Sequence, residues 1–228
     1  MAETSVAAAS SSFTEELKLS AGDLWERVVE HKFTVELATG TIDRNTVLKR
    51  YLIQDYRFLD AFCVLLGSII AKARTLQDRI PACQFLGVVT SAENTYFTRC
   101  FEALNVTQAE QDAVPDADCT TGFCNLMRDA AVNGTLAEML SVIVVCEWTY
   151  LTWADKVKDK TKRDDFCTYE WVDLHSGPEF EGIVSHFRSL LDKEGEIISV
   201  DERKRCQERF LHAMQLEVDF FDMPYITP

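Results

Sequence analysis

The chain predicts an all-α fold, a single-domain up-and-down bundle of long helices, and three observations carry that prediction. From Phe13 onward apolar residues recur at helical spacing. No run of alternating residues bounded by turn signals reads as a strand. The separators are short: Ala38-Thr39-Gly40, Pro115 to Asp118, Asn133-Gly134, Ser176-Gly177 and Glu194-Gly195. Short connections between long helices make neighbours antiparallel.

The elements follow in order. Phe13–Thr34 opens the helical part, and Asp43–Ala73 is one long element with a bend. Ile80–Leu104 comes next, then a short Thr107–Ala113 stopped by Pro115. Thr120–Val132 ends at Asn133-Gly134, and Leu136–Lys158 is the most apolar segment. Arg163–Leu174 starts after a basic loop. Pro178–Glu194 has Pro178 in its first turn, and Ser176 with Glu179 three residues on resembles a capping box. Val200–Phe221 closes the bundle.

A chain of 228 residues with 47% apolar content suits one domain with an ample core. Residues 1–12, small and hydroxylated with no arginine, read as a disordered tail before a helical domain at 13–228. A net charge of −14 argues against nucleic-acid or anionic-membrane partners, which demand clustered cations. The one basic cluster, Lys156 to Arg163, reads as a solvated loop, followed at once by Asp164 and Asp165. The eight cysteines lie mostly in helix-like stretches, and with no signal sequence they read as reduced thiols of a cytoplasmic protein. Cys119 and Cys124 lack the second pair a structural zinc would need. The apolar run Phe58–Ala73 contains Asp60, so no segment is predicted to span a membrane.

Glu147 is the only charged residue between Met139 and Ala154. On a helix its neighbours at three and four positions are Ile143, Val144, Tyr150 and Leu151, none of them cationic. A buried acid without a partner costs several kcal/mol or shifts its pKa upward, so one that persists invites a functional explanation. Asp55 repeats the pattern among Tyr51, Leu52, Phe58 and Leu59. Glu93 does so among Val89, Thr90, Tyr96 and Phe97, and Glu217 among Ala213, Met214, Phe220 and Phe221. Four acids on four apolar faces converging on one aromatic cavity would suit a flat, nitrogen-rich, protonatable small molecule. The blander alternative is that each acid finds its partner on another helix or faces water at a groove.

Cys146, beside Glu147, is a second nucleophile candidate. Adjacent helix positions diverge by about 100°, so only one of the two is expected to face the cavity. A carboxylate-bridged di-iron centre is the metal alternative for a bundle of this size, but the sequence has no Glu-x-x-His, and His31, His175, His186 and His212 are scattered.

These residues resemble the TenA (thiaminase II-like) family, whose fold is the haem-oxygenase-like helical bundle. The resemblance rests on Leu52-Ile-Gln54-Asp55-Tyr56-Arg-Phe58-Leu59, Glu93-Asn-Thr-Tyr96-Phe97, Cys146-Glu147-Trp-Thr-Tyr150 and Leu216-Glu217-Val-Asp-Phe220-Phe221-Asp222-Met223. One branch of the family carries a catalytic cysteine in the central helix, and another, the E type, a glutamate. This chain offers both: Glu147 gives the E-type spacing Glu-x-x-Tyr, and Cys146 gives Cys-x-x-x-Tyr. Val145 stands where a proline often precedes the cysteine. Phe123 and His175 occupy places where tyrosines are expected, which bears on substrate choice more than on fold.

The resemblance implies thiamin-pyrimidine salvage, the hydrolysis of aminomethylpyrimidine or its N-formyl precursor to hydroxymethylpyrimidine, with no cofactor or metal. It implies Glu147 as the residue that activates water or attacks, oriented by a hydrogen bond from Tyr150. Glu217 would donate or accept a proton, Asp55 would hold the pyrimidine amino group and ring, and Phe58, Phe62 and Phe123 would sandwich the ring. Glu93, Cys146 and His175 would complete the substrate pocket, and a homo-oligomer, dimer or tetramer, is expected. A cysteine-type enzyme using Cys146 and a non-catalytic pyrimidine-binding or scaffold protein are the alternatives.

Overall fold

The computed structural model describes residues 11–226. Among them no strand occurs, and the helices are α1 (Phe13–Ser20), α2 (Asp23–Val29), α3 (Lys32–Thr39), α4 (Lys49–Lys72), α5 (Leu76–Val88) and α6 (Asn94–Ala103), then α7 (Gln108–Ala113), α8 (Asp118–Asn133), α9 (Leu136–Val157), α10 (Phe166–Leu174), α11 (Gly177–Gly195) and α12 (Val200–Asp222). The predicted tail lies outside the described residues except for Ser11 and Ser12, and Ser12 stands at the N-cap position of α1 without a side-chain hydrogen bond to it.

Helix α9 is the axis of the bundle. Every residue from Leu136 to Tyr150 is buried, as expected of a helix that is apolar on all sides. It packs against α4, α8, α11 and α12 and touches α2, α3 and α10. The stretch Leu136–Lys160 is long and apolar enough to cross a membrane by composition, yet 89% of its apolar window is buried inside the protein. It is the core helix that neighbouring helices, rather than lipid, cover.

Four expectations about the elements need correction. Phe13–Thr34 is three helices, because Gly22 at φ 57° lets the chain turn and His31 caps a new start by accepting the N–H of Phe33 at 3.1 Å. The bend in Asp43–Ala73 is a π-helical turn, Arg44–Leu48, capped by Asp43. Ile80–Leu104 begins earlier, at Thr75, whose hydroxyl accepts from Asp78 N–H at 3.2 Å, and is interrupted by a second π turn at Val89–Glu93. The capping box at Ser176 does not form, since its side chain caps no N–H, whereas one forms around Thr107 and Glu110.

Candidate active site

The four partnerless acids meet. Asp55 from the second turn of α4, Glu93 from the end of the π turn, Glu147 from α9 and Glu217 from α12 line one cavity. Two of them sit beside a local device. Asp55 follows Gln54, whose buried amide donates to Pro115 O at 2.9 Å and accepts from Ala117 N–H at 3.0 Å and the Thr120 hydroxyl at 2.7 Å. That clamp fixes the start of α8 and with it Phe123 on the cavity wall. The π turn inserts an extra residue into an otherwise α-helical path and ends at Glu93, which lines the cavity; such distortions are often found at functional sites.

Aromatic rings make the walls. Phe58 stacks on Phe62 at 5.4 Å between centroids and meets Phe123 edge-on at 5.3 Å. Phe85 and Phe220 extend this side, and Tyr150, Trp171 and His175 form the other. Phe58 and Glu93 are the half-buried members of an otherwise buried lining, which marks the mouth of the cavity.

The electrostatics set this cluster apart. Burial pushes the Asp55 carboxyl up to about 7, with the neighbouring Tyr51 hydroxyl pulling it partly back. Burial, then the nearby Asp55 charge, pushes Glu93 and Glu217 up to about 8. Glu147 is driven well above the carboxylate range, by burial first and then by Glu93, Glu217 and Asp55 together. No basic side chain moderates any of the four. Like charges at close range cannot all ionise, so at neutral pH the cluster holds protons in common. Asp55 Oδ2 is buried with no hydrogen-bond partner among the described residues. A cation or a ring bearing N–H groups would satisfy these needs at once.

Every residue assigned a catalytic or substrate-binding role from the sequence lines this cavity: Asp55, Phe58, Phe62, Glu93 and Phe123 on one hand, and Cys146, Glu147, Tyr150, His175 and Glu217 on the other. Two finer expectations fail. Cys146 and Glu147 both reach the cavity, because it wraps around α9 far enough to meet adjacent positions. The Tyr150 hydroxyl makes no hydrogen bond to Glu147; its partner is the Tyr51 hydroxyl at 2.8 Å.

Tyr51 is the hub that sequence reading missed. It also accepts the indole N–H of Trp171 at 3.2 Å, so one hydroxyl ties α4, α9 and α10 together one turn from Asp55. Its position four residues before Asp55 was the available signal, but in the sequence it counted only as an apolar neighbour. Phe85 carried no signal at all.

The Cys146 thiol donates to the Val142 carbonyl at 3.6 Å and sits against Glu217. Burial, then Glu217 and Glu147, pushes it well above the ordinary thiol range. Such a thiol stays protonated, which is poor preparation for a nucleophile. Among the described residues no histidine, cysteine and carboxylate side chains are grouped as a metal ion would require.

The TENA/THI-4/PQQC family model matches residues 20–226. An aminopyrimidine aminohydrolase from Halalkalibacterium halodurans is 25% identical over 94% of this chain and 96% of its own length. A second, from Bacillus subtilis, is 23% identical over 93% and 89%. Among solved structures, a TenA homologue from Pyrococcus furiosus superposes with a TM-score of 0.81 at 23% identity, covering 93% of this chain and all of its own. With a matched model that runs through all four acids and nearly the whole helical bundle, the chain belongs to the TENA/THI-4/PQQC family.

Proposed function

We propose that the protein is a cofactor-independent hydrolase of aminomethylpyrimidines, converting 4-amino-5-aminomethyl-2-methylpyrimidine, its N-formyl derivative, or both to hydroxymethylpyrimidine. The observation that carries this reading is the cluster of cation-free acids inside an aromatic box, a setting that binds a flat, protonatable ring and moves protons at neutral pH. The similarity to aminopyrimidine aminohydrolases supports the substrate class.

In this reading Asp55 accepts the ring's amino N–H with its unpartnered Oδ2, and Phe58, Phe62 and Phe123 enclose the ring. Glu147, ionised once a cationic substrate offsets the cluster's negative charge, removes a proton from water. The resulting oxygen bonds to the exocyclic methylene carbon as the carbon–nitrogen bond breaks. Glu217, held up at about 8, is protonated at neutral pH and gives its proton to the departing amine. Tyr51 and Trp171 hold Tyr150 and the Asp55 turn in register. Cys146 serves as a wall residue, because its thiol is held protonated by its acidic surroundings.

The test is release of hydroxymethylpyrimidine from the free amine, the N-formyl amine and thiamin by wild type, Glu147→Gln and Cys146→Ser. Loss in Glu147→Gln with retention in Cys146→Ser supports the assignment. The reverse pattern gives the chemistry to Cys146, and a wild type inert on all three substrates, yet stabilised by them, makes the protein a pyrimidine binder.

A further inference from the structure

His175 differs in kind from every other polar group in the cavity. It caps the C-terminal end of α10, it is 7% exposed, and its Nδ1 lies 2.8 Å from the carbonyl oxygen of Trp171. A carbonyl only accepts, so Nδ1 carries the hydrogen and the tautomer is set. Burial depresses the imidazole to about 4, which keeps it neutral. In a neutral ring protonated at Nδ1, Nε2 is a bare lone pair. No described residue hydrogen-bonds to Nε2, and it is absent from the fully occluded unpartnered atoms, so it retains open surface. With Nδ1 tied back to its own helix, the Nε2 edge is the part of the ring left to face the cavity that His175 lines.

The carboxyls around it exchange protons and can donate or accept, and the Tyr150 hydroxyl is engaged with Tyr51. His175 alone is fixed as an acceptor. Its ring neighbours are Trp171 at 4.3 Å, Tyr150 at 4.8 Å, Phe180 at 5.2 Å and Trp153 at 6.2 Å, and none of them donates a hydrogen bond to it, the Trp153 indole N–H being without a partner among the described residues. A pure acceptor in a dry setting rejects any ligand that leaves it unpaired.

We infer that His175 is a specificity-determining residue, its Nε2 accepting the N–H of the substrate's exocyclic nitrogen and so selecting primary amines and secondary formamides over substrates whose exocyclic nitrogen bears no hydrogen. The inference rests on the aminopyrimidine reading above. Asp55, with its unpartnered oxygen, serves the ring amino group, and the exocyclic nitrogen, which carries the remaining donor hydrogen of these substrates, is left for His175. The quaternary nitrogen of a thiazolium has no such hydrogen, so thiamin is the disfavoured member of the class.

The decisive comparison uses two formamides, the N-formyl aminomethylpyrimidine and its N-methyl tertiary counterpart, with affinity and kcat/KM measured for wild type, His175→Phe and His175→Gln. Wild type should prefer the secondary formamide, and His175→Phe should lose about fivefold to tenfold of that preference through loss of one hydrogen bond. His175→Gln should regain part of it, since its amide nitrogen can serve the Trp171 carbonyl while its oxygen accepts. A preference unchanged in His175→Phe overturns the inference while leaving the hydrolase intact. Failure of wild type to bind or convert any aminopyrimidine overturns the underlying reading instead. Should the Phe variant not fold, ¹⁵N NMR of wild-type imidazole decides: the secondary formamide must shift the Nε2 resonance of the Nδ1–H tautomer and the tertiary one must not. Equal shifts from both count against it.

Discussion

Helix α9 carries two buried glutamates, and their surroundings are opposite. Glu138 in its first turn and Glu147 in its middle are 3% and 6% exposed. Glu138 accepts from Arg205 Nε at 2.6 Å and Arg209 Nε at 3.2 Å, both on α12. Glu147 lies about 13 Å further along the α9 axis, in the cavity it shares with Glu217 of α12. Along α9, buried negative charge is neutralised in the first turn and concentrated in the middle. Glu194 on α11 follows the first pattern, held by Arg74 through 2.7 and 2.8 Å contacts. Burial of an acid in this molecule therefore says little alone, and the missing cation is what distinguishes the cavity.

The comparison breaks most decisively at Glu147. Glu147→Gln is expected to lower turnover by about 10²–10⁴-fold while the ligand-free melting temperature stays level or rises, because an amide removes the cost of burying an acid among acids. A variant that unfolds instead would show Glu147 to be as structural as Glu138.

Glu138→Gln should do the reverse, leaving two guanidiniums without their anion. Arg205 is half exposed and Arg209 largely covered, so about 2 kcal/mol is expected, or a fall of roughly 4–8 °C in melting temperature. Turnover per folded molecule should be unaffected. Loss of activity without loss of stability would contradict the division.

The pH dependence sharpens it further. The cavity acids have raised pKa values in the folded chain, so the folded state holds protons that the unfolded state has released. Their stabilising contribution is complete below about pH 4 and is lost as pH rises through about 7 for Asp55 and about 8 for Glu93 and Glu217. Ligand-free wild type should thus melt at progressively lower temperature from pH 5 to 8, and Glu217→Gln should flatten that slope. Parallel slopes for the two proteins would rule the cluster out as its source.

The smallest effect belongs to Cys146. Cys146→Ser should change kcat/KM by no more than about threefold, the scale of one weak hydrogen bond. Iodoacetamide should modify the thiol slowly at pH 7, since it is held protonated. Rapid alkylation coupled to loss of activity would return the cysteine to the centre of the mechanism.

Much of this site was legible in the sequence because helical geometry is local. Asking which residues lie three and four positions from Asp55, Glu93, Glu147 and Glu217 needs no tertiary knowledge, and the absence of a cation there pointed to the cavity that holds all four. The same test cannot see cations from other helices, and the pairing of Glu138 became visible only when α12 was in place. Nor could it find the Tyr51 hub, whose partners Tyr150 and Trp171 are 99 and 120 residues away. The bundle followed from periodicity, but Gly22 interrupts its first element within a pattern that otherwise continues, and the π turns leave no compositional trace.

The π turn at Val89–Glu93 bears on how this lineage can change. Such a turn holds one residue more than an α-helix needs, so deleting one residue there restores an ordinary α-helical path and leaves Tyr96 and Phe97, 1% and 0% exposed, in register with the core. What changes is the turn itself, and with it the direction of the carboxylate at 93. Loss of a single codon can therefore take the acid from the mouth of the cavity while the following helix keeps its packing.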